Sequence, residues 1–119
     1  LIKDGYGRWT WPKGNIKKSE ASKDAAMREI KEETGLDNLE VVKKIGQTQY
    51  FYKLKGKLIF KTVYFYLVKA QGDTTLKIQT KEIQDAKWFS PKEALEKVEY
   101  KGSRELLETA LKEFKNYKR

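Results

Sequence analysis

Residues 14–36 read GNIKKSEASKDAAMREIKEETGL, and the fold and chemistry of the chain are best predicted outward from this stretch. Apolar residues recur one helical turn apart between Ser22 and Thr34, which is the spacing of an amphipathic helix. Ser22 is a residue type that caps the start of a helix, and Gly35 is the type that ends one in a left-handed conformation. The sequence therefore predicts a helix over residues 22–34, and its polar face is unusually acidic.

Three glutamates form the acidic face of this helix. Glu29, Glu32 and Glu33 stand at positions i, i+3 and i+4, which brings their side chains to one side of the helix. Adjacent carboxylates repel one another, so a bound cation would stabilise the helix. Oxygen ligands without nitrogen or sulfur favour Mg²⁺ or Mn²⁺. The competing interpretation is a solvated acidic helix whose glutamates pair with Arg28 and Lys31.

The composition limits the available chemistry to carboxylates. The chain has 119 residues, enough for one domain over residues 1–119, and it contains neither cysteine nor histidine. Thiolate nucleophiles, disulfides, imidazole bases and histidine-bound metals are thereby excluded. The net charge of +9 favours anionic ligands such as nucleotides or nucleic acid, although a merely solvated surface would look the same. No apolar run approaches the ~20 residues of a membrane span, and no signal-peptide pattern is visible, so we expect a cytoplasmic protein without a membrane partner.

Two long β-rich runs occupy the middle of the chain. Residues 41–54 and 58–68 are rich in β-branched and aromatic residues, and Lys55-Gly56-Lys57 between them predicts a hairpin turn. Helices inserted among hairpins predict a mixed α+β sandwich. The shorter predicted elements are strands over residues 1–3, 8–11 and 86–89, a turn over residues 4–7, a helix over residues 91–98 and a last helix from Ser103.

The spacing within residues 14–36 also matches a known signature. Gly14 is followed after five residues by Glu20, and after seven more by Arg28-Glu29-Ile30-Lys31-Glu32-Glu33-Thr34-Gly35-Leu36. This is the complete Nudix box, and the chain therefore resembles the Nudix hydrolases. The resemblance implies the Nudix fold, an α/β/α sandwich in which a mixed β-sheet lies between α-helices. It also implies hydrolysis of a phosphoanhydride bond in a nucleoside diphosphate derivative.

The resemblance also implies the roles of individual residues. Arg28 is expected to orient Glu29, and Glu20 is a candidate for an additional or water-mediated ligand. The general base comes either from this helix or from a later loop, where Glu82 is the outside candidate, although a plain surface position explains that residue equally well. The metal ligands implied by the resemblance are Glu29, Glu32, Glu33 and the backbone carbonyl of Gly14.

Features outside the box are most similar to the bacterial diadenosine tetraphosphate hydrolases. Tyr52, sixteen residues past the box, is a mark of that branch. This resemblance implies a dinucleoside polyphosphate as substrate, with asymmetric cleavage of diadenosine tetraphosphate to ATP and AMP. The similar segments are Trp11-Pro12-Lys13-Gly14-Asn15-Ile16, the run from Tyr50 to Tyr66, Asp85-Ala86-Lys87-Trp88-Phe89 and Tyr100-Lys101-Gly102.

Aromatic and basic side chains are the candidates for substrate binding. Each of them also has a plain structural interpretation, since strand aromatics commonly pack in cores and strand lysines commonly solubilise a sheet edge. The candidates for stacking on adenine are Tyr50, Tyr52 and Trp9, and the candidates for contacting phosphates are Lys13, Lys53 and Lys61.

Other functions are compatible with the same box. The alternatives are a pyrophosphohydrolase for oxidised deoxynucleoside triphosphates, an RNA 5′ pyrophosphohydrolase and a non-catalytic nucleotide-binding or RNA-binding module. The intact glutamates argue against the non-catalytic module. Relatives carry a strand with an Ala-Gly-Gly element before the position of Leu1, so we expect this sequence to lack the first strand of the domain. The oligomeric state is left open between a monomer and a homodimer.

Overall fold

Strands and helices are interspersed along the chain. The structure is a computed structural model that describes residues 1–12, 16–78 and 81–118. The order of its elements confirms the predicted α+β fold. They are β1 (Ile2–Lys3), β2 (Trp9–Thr10), α1 (Ser22–Thr34), β3 (Leu39–Leu54), β4 (Lys57–Ala70), β5 (Asp85–Ala86), α2 (Pro91–Lys97) and α3 (Ser103–Lys118).

A small antiparallel sheet holds the first two strands. β1 lies between β2 and β5, and Ile2 stands opposite Thr10 on one side and Ala86 on the other. The predicted strand over residues 86–89 is wrong in its bounds, because β5 spans Asp85–Ala86. The strand is short because its partner β1 is only two residues long and can form ladder hydrogen bonds with only two residues of β5.

The largest element is the hairpin formed by β3 and β4, whose strands are 16 and 14 residues long. Its antiparallel ladder ends with Leu54 opposite Lys57. Lys55 and Gly56 join the two strands with positive φ angles of 52° and 78°, as in a type I′ turn. The predicted hairpin and its turn are confirmed, and both strands extend slightly beyond their predicted bounds.

Helix α1 has its predicted bounds, but its start differs from the prediction. Gly35 ends the helix with φ at 76°, and its N–H donates to the carbonyl of Lys31 at 2.9 Å. The predicted cap by Ser22 is wrong, because Ala21 occupies the N-cap position and no side chain in the described residues caps the helix there. The hydroxyl of Ser22 instead forms a hydrogen bond with the hydroxyl of Tyr66, which ties the start of α1 to β4.

Helices α1 and α3 both pack against the hairpin. An apolar space of about 150 Å³ lies between the three elements, with Ile30 of α1, Val68 of β4 and Leu106 of α3 in its wall. The predicted apolar stripe of α3 faces this space, since Leu107 and Ala110 also line it. This packing holds the glutamate-bearing helix beside β4. Within the three described ranges, no helix is both long enough and apolar enough to cross a bilayer.

Gly35→Ala tests how strongly the end of α1 depends on a left-handed residue. A Cβ at φ 76° crowds the backbone, so we expect the free energy of unfolding to fall by about 1–2 kcal/mol. Gly46→Ala is the matched control, because its Cβ would lie 3.6 Å from Leu106 Cδ1, an ordinary van der Waals distance. Urea unfolding followed by circular dichroism measures both variants, and equal losses would contradict the role given to Gly35.

Candidate active site

One arginine gathers the acidic side chains around α1. The Nε and Nη2 atoms of Arg28 lie 2.9 and 3.1 Å from the two carboxylate oxygens of Glu20, which makes a bidentate ion pair. Its Nη1 atom lies 2.8 Å from Glu29 Oε1 and 3.2 Å from Glu32 Oε2. A single guanidinium therefore binds three carboxylates, and the predicted contact between Arg28 and Glu29 is among them.

The pairing of Glu20 with Arg28 also changes the proton affinity of both groups. Hydrogen bonds from Arg28, together with one from the backbone N–H of Lys17 at 2.9 Å, lower the pKa of Glu20 from 4.5 to about 2. The hydrogen bonds that Arg28 donates to Glu20, and the nearby charge of Glu29, raise the pKa of Arg28 above its ordinary value. Both side chains therefore stay charged at neutral pH.

The glutamates predicted to bind a metal differ in exposure. Glu33 is buried, with 7% of its surface exposed, and the Glu29 side chain is 13% exposed, whereas that of Glu32 is 47% exposed. In the described part of the chain, no three acidic side chains are gathered closely enough to hold a metal ion. Two of the three glutamates, Glu29 and Glu32, instead bind Arg28. Their carboxylate oxygens are the ligand type that magnesium prefers, but their side chains have the conformations that pair with the arginine. Gly14, the predicted backbone ligand, lies outside the described residues.

A cavity of about 430 Å³ opens beside Glu29. Its wall includes Tyr52 and Lys61, two of the predicted substrate contacts, together with Trp11 just after β2. Aromatic rings and a basic side chain thus border the same space as a carboxylate of the box. The volume falls within the range of about 300–1,000 Å³ that is typical of small-molecule sites.

Three other predicted substrate contacts lie apart from this cavity. Tyr50 is exposed beside Tyr52, with ring centroids 6.0 Å apart. Lys53 lies on the opposite face of the hairpin from Tyr52, because neighbouring residues of a strand alternate between faces. Trp9 packs edge-on against Phe89 with centroids 5.1 Å apart, as a core aromatic would.

The two remaining candidates lie in loops. Glu82 is exposed in a turn that precedes β5 and is not part of the cavity wall. Its role as a general base stays a prediction. Lys13, a predicted phosphate contact, lies outside the described residues.

Trp11 is a site residue that sequence reasoning missed. It lines the cavity, and its ring lies edge-on to that of Phe65 with centroids 6.4 Å apart. The available signal was its position directly before Pro12 and the loop that leads to the box. Its position shows that Trp11 is close to the box in sequence, but it does not show that the side chain lines the cavity.

Comparison with known proteins identifies the family to which the chain belongs. Residues 2–110 match the NUDIX domain, and the chain belongs to this family. A protein of Mycobacterium tuberculosis that bears the name mutator protein MutT4 is 32% identical over 109 residues, which cover 90% of this chain and 43% of that protein. An RNA pyrophosphohydrolase of Campylobacter jejuni subsp. doylei is 31% identical over 102 residues, which cover 77% of this chain and 64% of that protein. The chain thus spans less than two thirds of the length of both relatives.

A solved structure resembles the chain over almost its whole length. The crystal structure of a C. elegans Ap4A hydrolase binary complex matches with a TM-score of 0.77 and 28% sequence identity. The match covers 98% of this chain and 85% of that one. This agreement in three dimensions supports the Nudix fold that the box implied.

The low pKa of Glu20 predicts an acid-dependent contribution to stability. A carboxyl whose pKa falls from 4.5 to about 2 on folding stabilises the folded state above pH 4.5, and this contribution is lost as the pH falls from 4.5 to about 2. Glu20→Gln should therefore be less stable than the wild type at pH 7, and the difference should shrink through that interval. Unfolding free energies measured between about pH 2 and about pH 7 check this.

Glu108→Gln serves as the control for the acid titration. Glu108 pairs with Arg104 on the exposed side of α3 at 3.4 Å, and a surface pair of this kind contributes little to stability. A stability difference for Glu20→Gln that stays constant with pH would show that Arg28 does not bind Glu20 as a charged carboxylate.

Proposed function

We propose that this chain is a Nudix pyrophosphohydrolase that uses magnesium to cleave a phosphoanhydride bond in a nucleoside diphosphate derivative. The observation that carries the proposal is the cavity, whose wall joins Glu29 of the box to Tyr52 and Lys61 of the hairpin. A carboxylate suits a metal ion, an ammonium group suits a phosphate and an aromatic ring suits a base. The wall therefore offers a partner for each part of a magnesium nucleotide.

Magnesium would be held by Glu29, Glu32 and Glu33, whose carboxylate oxygens are the ligand type that it prefers. When bound, it would supply positive charge to the phosphate oxygens. Arg28 offsets the mutual repulsion of two of these carboxylates, at distances of 2.8 and 3.2 Å, and so keeps Glu29 beside the cavity.

The substrate that we favour is diadenosine tetraphosphate. The rings of Tyr52 and its exposed neighbour Tyr50 offer stacking surfaces for adenine, and Lys61 offers a point charge for the polyphosphate. The likeness to the C. elegans Ap4A hydrolase, with its TM-score of 0.77, supports this choice. Water breaks one P–O–P linkage and its oxygen enters a phosphate of one product, so that ATP and AMP form in equal amounts. The proton is accepted by a glutamate of the box or by Glu82.

Glu29→Gln should remove most of the turnover. The change keeps the size of the side chain and removes the negative charge beside the cavity, so we expect kcat to fall by about 100-fold or more. The measurement is incubation with diadenosine tetraphosphate and Mg²⁺, followed by chromatographic separation of ATP and AMP. Glu108→Gln, exposed on α3 and not part of the cavity wall, is the control and should keep the wild-type rate. Failure of the wild type to form either product would refute the substrate, and full turnover by Glu29→Gln would refute the role of the box.

Lys61→Gln and Lys53→Gln form a matched pair on the same hairpin. Lys61 lines the cavity, whereas Lys53 lies on the opposite face. Loss of a charged hydrogen bond to phosphate should raise KM for Lys61→Gln by roughly tenfold or more, with no such change for Lys53→Gln. Steady-state kinetics with diadenosine tetraphosphate measures both constants. A KM that rises equally in the two variants would indicate general attraction by the positive surface and not a contact in the cavity.

RNA with a phosphorylated 5′ end is the second candidate substrate. The chain is 31% identical to the Campylobacter jejuni protein named RNA pyrophosphohydrolase, and its net charge of +9 suits a polyanion. Parallel assays with a 5′-triphosphorylated oligonucleotide compare the two substrates by kcat/KM. A higher value for the oligonucleotide would replace diadenosine tetraphosphate as the substrate. The oxidised nucleotide 8-oxo-dGTP completes the panel, because one relative is named for a mutator protein.

A further inference from the structure

Most of the net positive charge of the chain lies on the hairpin. The hairpin, residues 39–70, contains seven lysines and one glutamate, and so accounts for six of the nine net positive charges of the chain. At the end of the hairpin near α3, Lys43 lies 2.9 Å from Glu113. At the other end, Lys53, Lys55 and Lys57 are exposed, and no acidic side chain in the described ranges pairs with them. The distal end of the hairpin is therefore a concentrated, uncompensated positive charge.

Large apolar side chains are exposed at the same end. From residue 47 to residue 60, every residue except the half-buried Ile59 is exposed. Phe51 stands opposite Phe60 in the ladder, their ring centroids are 4.9 Å apart, and the two residues are 63% and 52% exposed. Lys53 opposite Leu58 is the next pair on the same face. We name Phe51, Lys53, Leu58 and Phe60 the phenylalanine face.

We propose that the phenylalanine face binds single-stranded nucleic acid. Exposed aromatic rings stack on unpaired bases of any sequence, and lysines beside them bind the phosphates. The exposed pair of Phe51 and Phe60 supplies two adjoining rings, and Lys53, Lys55 and Lys57 supply the positive charge. Contiguous exposed apolar side chains, unlike apolar side chains scattered singly over a surface, are typical of binding surfaces.

Charge favours a polyanion over a second copy of this chain. Two phenylalanine faces in contact would bring the unpaired lysines of both copies together, and like charges at short range repel. The face adjoins the cavity at Phe60, which also lines it, whereas Phe51, Lys53 and Leu58 are not in the cavity wall and lie on the opposite side of the hairpin from Tyr52. Binding here therefore does not depend on the proposed hydrolase activity and can be measured without it.

The experiment compares a labelled single strand of about 12 nucleotides with a duplex of the same length, by fluorescence anisotropy and with the full chain. A duplex carries more phosphate charge but keeps its bases stacked, so attraction by charge alone favours the duplex. We expect the single strand to bind more tightly. Phe51→Leu combined with Phe60→Leu keeps an apolar surface but removes both rings, and should weaken single-strand binding about tenfold without changing its salt dependence.

Lysine variants test the electrostatic half of the proposal. Lys53→Gln should lower the slope of log affinity against log salt by about 0.7 if it loses one phosphate contact. Lys115→Gln, at an exposed position of α3, is the matched control and should leave the slope unchanged. Circular dichroism verifies that each variant is folded, and Glu29→Gln should bind the strand as the wild type does.

Four outcomes would overturn the proposal. The first is a duplex that binds as tightly as the single strand, and the second is a folded double phenylalanine variant with wild-type affinity. The third is binding to phosphatidylserine vesicles without binding to the single strand, which would assign the face to a lipid surface. The fourth is a dimer in sedimentation equilibrium that the double variant dissociates, which would assign it to a second copy of the chain.

Discussion

The guanidinium of Arg28 is the interaction on which the candidate site depends. It joins Glu20, in the loop before α1, to Glu29 and Glu32, which lie one turn apart on the helix. Carboxylates at this spacing repel one another, and a cation between them reverses that effect. Because both oxygens of Glu20 are paired with Arg28, the loop is held against the helix that it precedes. One positive charge thus orders both the approach to α1 and its acidic face.

Local signals predicted the elements whose geometry is determined within the element itself. The helical repeat and Gly35 predicted α1 with its observed bounds, and Lys55-Gly56 predicted the turn of the hairpin. Residue propensity gave a wrong prediction where a residue distant in sequence forms a hydrogen bond with the same side chain. Ser22 has the side chain of a cap, but its hydroxyl bonds to Tyr66, which is 44 residues away in sequence. The extent of β5 likewise depends on the length of β1, which no pattern near residue 86 reveals.

The candidate site, like the fold, was predictable only in part from the sequence. The contact of Arg28 with Glu29 was implied by the resemblance to the Nudix box, and the structure contains it. Lys53 and Lys61 could not be distinguished, because each lies in a strand and the sequence does not say which face of that strand meets the cavity. Trp11 belongs to the cavity through the packing of the segment after β2 against the hairpin, which is a tertiary fact.

The charges of the chain are arranged so that the cavity lies between opposite signs. Helix α1 contributes Glu29 to its wall and the hairpin contributes Lys61. The proposed ligand, a magnesium polyphosphate, carries both signs, so each side of the wall would meet its complement. The lysines beyond the cavity extend the positive field along the hairpin and draw anions toward it. Since these exposed charges are screened within about 8 Å at physiological salt, their attraction acts near the hairpin surface, where both the cavity and the phenylalanine face lie.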